Sequence, residues 1–330
     1  MTRIADQYRI IEAGAGWIDR SARGRLAFEG RDARTFLQAL VTNDIGAATA
    51  GTGVDAAYLT PQGRMIAMLR ILVVGESSLD VEVAPGQASA LATRFDQLIF
   101  AEQVRVTDAS STTTAIGVVG GGAAGTIARA LAGDRSKLDA LATLGHETFG
   151  DVRVVRIDDA VLPGYELWAP ASAREDLISR LATAGAIEID TELDEALRID
   201  AGRPAFGVDM TEDTIPLEAG LLDRAISTIK GCYVGQEVII RVLHRGGGRV
   251  ARRLVKLAFD EGVAAPPASG TPLFADGREA GRVTSASVWP VTGRVIALGY
   301  VHRDAATIGT RVVAKTPEAE QNAEVTGFAG

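Results

Sequence analysis

The chain has 330 residues and a mass of 34.5 kDa, too long for one ordinary hydrophobic core, so two or three domains are expected. Apolar residues make up 47%, enough for a large core and against a disordered chain; 34 basic against 42 acidic residues leave a formal charge of −8, which argues against a general nucleic-acid coat but permits a local basic patch. One cysteine forms no intrachain disulfide, and with only three histidines (146, 244 and 302) it supplies neither a closed zinc site nor the four thiolates of an iron–sulfur cluster, so no metal site is expected.

Residues 1–7 carry no apolar run or cleavage pattern. Apolar runs such as 71–75 fall far short of the roughly 20 residues that span a bilayer, so a soluble, cytoplasmic protein is expected.

Residues 17–29 read as a short strand with turns. The apolar spacing at 33, 36, 37, 40 and 41 predicts a helix that stops at Thr42-Asn43-Asp44. Residues 58–74 read as two strands around the turn Thr60-Pro61-Gln62-Gly63, and 78–83 as a third. An amphipathic helix over 85–100 and a strand over 104–107 complete a β-β-β-α-β order, which suggests an α+β unit. After a polar break at 110–114 comes a strand over 115–120, then Ala/Gly-rich helical segments to about 145. The run Gly120-Gly121-Gly122 fits a dinucleotide fingerprint poorly, and a turn is the plainer reading. Strands follow at 152–157 and 165–168, then a helix over 171–184. A short helix ends at Gly202, and an irregular loop of more than twenty residues follows; loops this long inside compact domains are usually functional. From 254 onward, strands at 255–258, 272–274, 281–287, 295–301 and 311–314 alternate with turns and predict a small barrel or sandwich.

Residues 230–237, Lys-Gly-Cys-Tyr-Val-Gly-Gln-Glu, hold the only cysteine. Cys232 reads either as a small buried hydrophobe or as a reactive thiol; flanking glycines, Lys230 and a helix opening near Gly235 favour thiolate formation on the second reading. Gln236 and Glu237 suit capping or a ligand's amide edge. A Cys232–His244 nucleophilic pair is conceivable, twelve residues apart across glycines. Downstream, 241–253 gathers five arginines and His244 around three glycines, and Arg241, Arg245 and Arg249 recur every four residues. Such a loop suits carboxylates, phosphates or an RNA backbone, or is simply a solvated basic face. Neither an esterase elbow nor a phosphate-binding P-loop motif is present.

The octapeptide 230–237 resembles the signature of the YgfZ-type folate-binding family, relatives of the glycine-cleavage aminomethyltransferase (T-protein). Residues 36–45, 58–64, 198–204 and 215–221 resemble other stretches of that family, so the likeness covers nearly the whole chain. The resemblance implies an α+β, three-domain cloverleaf around a channel that binds tetrahydrofolate. Residues 1–50 with 110–245 would form a discontinuous folate-binding domain, 51–109 an α+β domain, and 246–330 a C-terminal β-barrel-like domain. It implies reactive roles for Cys232 and Lys230, and folate contacts at Glu166, Arg198, Asn43, Gln236 and Glu237. The anionic glutamyl tail suits Arg198 or the basic loop 241–253, in which Arg241, Arg245 and Arg249 are the expected anion-binding residues. Implied partners are folate and iron–sulfur enzymes or their cluster-assembly proteins, including enzymes that modify tRNA. One departure stands out: the transferases place a catalytic aspartate just after the strand matching 79–83, whereas residues 84–91 here hold no carboxylate. That counts against aminomethyl transfer, which needs an acid to protonate or orient the amine. The expected function is therefore support of iron–sulfur enzymes, with folate-dependent aminomethyl or methyl transfer as the alternative.

Overall fold

The computed structural model describes residues 3–244, 247–263 and 265–330. Its strands sort into two open sheets and one closed barrel. The first sheet runs in the order Ile187–Glu188, Gly16–Asp19, Thr113–Val119, Gly164–Pro170, Val152–Ile157, His146–Phe149. All its pairings are antiparallel except that of Gly16–Asp19 with Ile187–Glu188. The second runs Thr52–Leu59, Met65–Gly75, Ser78–Val83, Gly24–Glu29, Arg105–Asp108, antiparallel throughout. The barrel closes through Arg252–Phe259, Val295–His302, Arg278–Val288, Pro272–Ala275, Arg311–Lys315 and Glu320–Phe328.

Strand periodicity explains how the two sheets combine. In Gly164–Pro170, Tyr165, Leu167 and Ala169 pack under the helices Ala123–Leu131 and Arg174–Thr183. Side chains alternate along a strand, so Glu166 and Trp168 project from the other face. In the second sheet Leu69, Ile71, Val73, Leu79, Val81 and Val83 pack with the helices Ala33–Leu40 and Ala88–Asp96. Arg70, Leu72 and Glu82 are left on its opposite face. Leu72 meets Ala115, Val155, Ile157 and Trp168, so the two free faces press against each other. One part of that inter-sheet layer is apolar, and the rest is charged.

The barrel is tied to the sheets through Asp209, whose carboxylate is fully buried. It accepts bonds from Thr284 Oγ1 (2.5 Å) and Ser285 Oγ (2.8 Å) on the barrel, and from Arg198 Nη1 (2.6 Å) and the Ala205 amide (3.0 Å). Thr284 and Ser285 are consecutive, yet both reach it, because the strand register shifts between Val283 and Ser285; a bulge re-aims a side chain in this way.

Several expectations change. Residues 17–29 are two strands in different sheets, Gly16–Asp19 and Gly24–Glu29. The sheets therefore do not divide at residue 50, since Gly24–Glu29 pairs with Ser78–Val83 and helix Ala33–Leu40 joins the second core. Helix Arg3–Ala13 and strand Glu320–Phe328 were not signalled; polar residues fill much of both. The glycines at 120–122 are explained by close backbone approach. A Cβ on Gly120 would stand 2.4 Å from Gly14 O, and one on Gly121 2.3 Å from Glu12 O, at the end of the first helix. The turn thus seats a helix C-terminus and is no phosphate loop.

Replacing Asp209 by Ala removes the buried acceptor that Arg198, Thr284 and Ser285 share. Loss of about 3 kcal/mol in urea unfolding is expected, the usual cost of breaking a buried ionic pair; an unchanged midpoint would contradict the tie.

Candidate functional site

The charged part of the inter-sheet layer centres on Glu166, which is fully buried. Its Oε1 accepts from Arg25 Nη2 at 2.7 Å and from Trp168 Nε1 at 2.9 Å, and its Oε2 lies 3.4 Å from Arg23 Nη1. Arg25 also reaches Glu82 Oε2 (2.9 Å), and Arg23 reaches Glu82 Oε1 (2.8 Å), so two guanidiniums bridge two carboxylates. Arg70 pairs with Asp159 at 2.8 Å, and Arg224 pairs with Asp55 at 2.6 Å and Asp159 at 3.1 Å. Burial pushes the Glu82 carboxyl up, but Arg25, Arg23 and Arg70 outweigh it and hold Glu82 well below the usual carboxylate range. Asp159 is likewise held low against its burial, by Arg70, Arg224, Arg23 and Arg20. Glu166 goes the other way: burial and the nearby Glu82 raise it against the pull of Arg23 and Arg25.

Two hollows open beside this layer. The outer one, of about 730 Å³, is lined by Asn43, Val54 and Asp55 from the second sheet's module, Leu144 and Asp158 from the first, and Arg253 and Phe328 from the barrel. All three modules meet there. The inner one, of about 160 Å³, is lined by Arg70, Glu82, Ala84, Pro85, Asp159, Arg198, Phe206 and Leu221. Asp55, Arg203 and Arg224 belong to both walls. Segment 84–91 does lack a carboxylate, as read from the sequence, but Asp55, Glu82 and Asp159 bring three to the same hollow.

The signature loop is pinned at both ends. Lys230 Nζ donates to the carbonyls of Gln38 (2.6 Å), Val41 (2.7 Å) and Asn43 (3.0 Å), which uses all three ammonium donors at the end of helix Ala33–Leu40. Burial pulls the Lys230 ammonium down to about 8, opposed by Asp44. At the other end Gly235, at φ +82°, lies against the turn after strand Thr52–Leu59; a Cβ there would stand 2.5 Å from Thr60 O. Between these anchors Cys232 is exposed, and Ile229, just before the first anchor, is 91% exposed. Lys230's amine is thus turned into the fold, and among the described residues no hydrogen bond joins Cys232 to Lys230 or His244.

The other expected residues scatter. Asn43 lines the outer hollow and donates to the carbonyls of Asp55 (2.8 Å) and Arg224 (3.2 Å). Arg198 lines the inner hollow but is engaged by Asp209 and Glu195. Glu166 lies behind Arg23 and Arg25 and lines neither hollow. Gln236 and Glu237 open the helix Gln236–His244, where Glu237 pairs with Arg241 at 2.6 Å on the surface. Arg249 is exposed, and Arg245 lies outside the described residues. Arg252 and Arg253 instead stack on Tyr300 and Phe328 of the barrel. Sequence reading missed Arg23, Arg25, Arg70, Glu82, Asp159 and Arg224. A signal exists for some: Arg70 interrupts the apolar run 65–74, and Glu82 sits within the strand Ser78–Val83, and a charge inside a buried strand needs a partner.

Lys230→Met should lower stability by about 2 kcal/mol, since three carbonyls lose their donor; unfolding measurements showing no loss would reject the clamp. Glu82 and Asp159 have folded values below their unfolded ones, so their stabilisation is complete above the ordinary carboxylate range near pH 4 and is lost as pH falls through the folded values. Glu82→Gln should flatten that acid limb of the stability–pH curve; an unaltered limb would show that the layer is not what fails in acid.

Comparison with known proteins agrees with this architecture. Residues 1–230 match the GCVT N-terminal domain, and 252–328 the glycine cleavage T-protein C-terminal barrel domain. An aminomethyltransferase of Rubrobacter xylanophilus is 29% identical over 90% of this chain and 79% of its own length. A putative chloroplastic transferase of Arabidopsis thaliana is 27% identical over 92% of this chain and 68% of its own. In structure, the glycine cleavage system aminomethyltransferase T of Bartonella henselae superimposes with a TM-score of 0.87 at 22% identity, covering 98% of this chain and 88% of that one; that likeness establishes the fold. With the family model spanning most of its length and the closed barrel following it, the chain belongs to the aminomethyltransferase-like GCVT family.

Proposed function

We propose that this chain binds tetrahydrofolate at the junction of its three modules and acts as a folate-dependent one-carbon transferase. The observation that carries this is the pair of adjoining hollows whose shared wall holds the Asp55 carboxylate and the Arg203 and Arg224 guanidiniums. The outer volume lies in the range of small-molecule sites, roughly 300–1,000 Å³. The donor set fits the ligand: a pterin offers an N–H edge that an ionised carboxylate accepts, and the glutamyl tail is anionic and seeks guanidinium. Asp55 and Asp159 would hold the pterin edge, with Phe206 and Leu221 as apolar walls. Bound tetrahydrofolate supplies the nitrogen that carries the one-carbon unit. Asp159 and Glu82 are kept ionised by their arginines, so they would orient an amine by accepting its N–H, not protonate it.

A second reading has one observation in its favour. Cys232 is exposed on a loop anchored at Lys230 and Gly235, a geometry that offers a thiol to a partner while leaving the hollows intact. This suits a YgfZ-type role in maintaining iron–sulfur enzymes, including tRNA-modifying ones, with folate as the bound cofactor. The names of the relatives speak for transfer, which ranks it first.

Anaerobic titration with tetrahydrofolate, followed by incubation with aminomethyl and methyl donors, separates the readings. Saturable binding, weakened about tenfold or more by Asp159→Asn, is expected from the loss of a charged acceptor, together with a one-carbon folate product. Binding without product, combined with loss of iron–sulfur enzyme activity in cells carrying only Cys232→Ala, would move the assignment to the second reading. No binding would reject both.

A further inference from the structure

The wall of the outer hollow contains one carboxylate unlike the others around the two hollows. Asp158 sits in the turn between strands Val152–Ile157 and Gly164–Pro170 and faces the outer hollow. Its side chain is 36% exposed, against 5% for Asp55 and 15% for Asp159. Its two oxygens are divided between two guanidiniums: Oδ2 lies 2.6 Å from Arg203 Nη2, and Oδ1 lies 2.9 Å from Arg224 Nη1.

Neither guanidinium depends on that carboxylate for its position. Arg224 is held by Asp55 and Asp159. Arg203 donates Nε to the backbone carbonyl of Asp158 at 3.0 Å, a bond that survives rotation of the Asp158 side chain. Two neighbouring guanidiniums in a half-buried wall nonetheless need an anion between them; burial and the adjacent Arg224 both act against the Arg203 charge, and Asp158 opposes them. Removing Asp158 without replacement is costly, whereas exchanging it for another carboxylate leaves the local charge unchanged.

We propose that the Asp158 side chain is a displaceable internal stand-in for a ligand carboxylate, and that Arg203 and Arg224 are the groups that bind that carboxylate in the outer hollow. The recognised chemistry is a carboxylate-bearing small molecule. This rests on the tetrahydrofolate reading, in which the glutamyl tail brings the only carboxylates. It moves the anion-binding role from the surface residues Arg241 and Arg249 to a pair in the hollow's own wall. Asp158 also discriminates: a ligand without a carboxylate that displaced it would leave two guanidiniums unmatched.

The test compares tetrahydrofolate with tetrahydropteroate, the same molecule lacking the glutamyl group, in equilibrium binding to the full chain. The wild type should prefer tetrahydrofolate. Asp158→Asn removes the competitor and should tighten tetrahydrofolate about tenfold, the scale of a charge-assisted contact, with a steeper loss of affinity in salt, and leave tetrahydropteroate unmoved. Arg203→Gln should abolish the preference, and it decides the matter should Asp158→Asn fail to fold. Equal tightening of both ligands, no tightening, or a preference that survives Arg203→Gln overturns the inference alone. Binding of neither ligand by the wild type overturns the folate reading and this inference with it.

Discussion

Opposite charges buried between two β-sheets are the constraint on which the rest of this structure depends. Arg23, Arg25 and Arg70 come from the second sheet's module and Glu166 from the first, so the layer closes only when the sheets meet in one register. A slip of one residue in Gly164–Pro170 would send Glu166 under the helices and an apolar side chain among the arginines. Each such charge left unpaired costs several kcal/mol, so any other register of the two sheets is penalised. The layer also sets the chemistry of the inner hollow, because Glu82 and Asp159, which line it, are held ionised by their arginines.

Much of the scaffold is legible from periodicity. The segments read as strands at 65–74, 152–157 and 255–258 are strands in the fold. Helix Arg3–Ala13 escapes because its apolar stripe is short, and the domain boundary escapes because Gly24–Glu29 pairs with strands fifty residues later in the chain. No local pattern reports a pairing at that distance. The site divides the same way. Lys230 and Cys232 are visible as a dense motif, but the motif does not say which way each side chain turns. Asn43 belongs to the hollow through its place at the end of helix Ala33–Leu40, whereas Arg198 and Glu166 are committed to internal partners. The arginines of the layer come from separate strands and loops, and only the folded sheets bring them together.

The octapeptide also changes meaning once the fold is known. Its lysine joins two segments nearly two hundred residues apart, and its second glycine lets the loop lie flat on the turn at Thr60. Asn43, which accepts from Lys230, donates in turn to the backbone of Asp55 and Arg224. The loop that presents Cys232 is therefore continuous, through hydrogen bonds, with the wall of the hollow.

A crystal structure of the chain with tetrahydrofolate bound tests the central claim most directly. The account predicts a pterin edge against Asp55 or Asp159, with the charge layer behind it intact. A pterin seated elsewhere, or one that reaches Glu166 by breaking its pairs with Arg23 and Arg25, would contradict it.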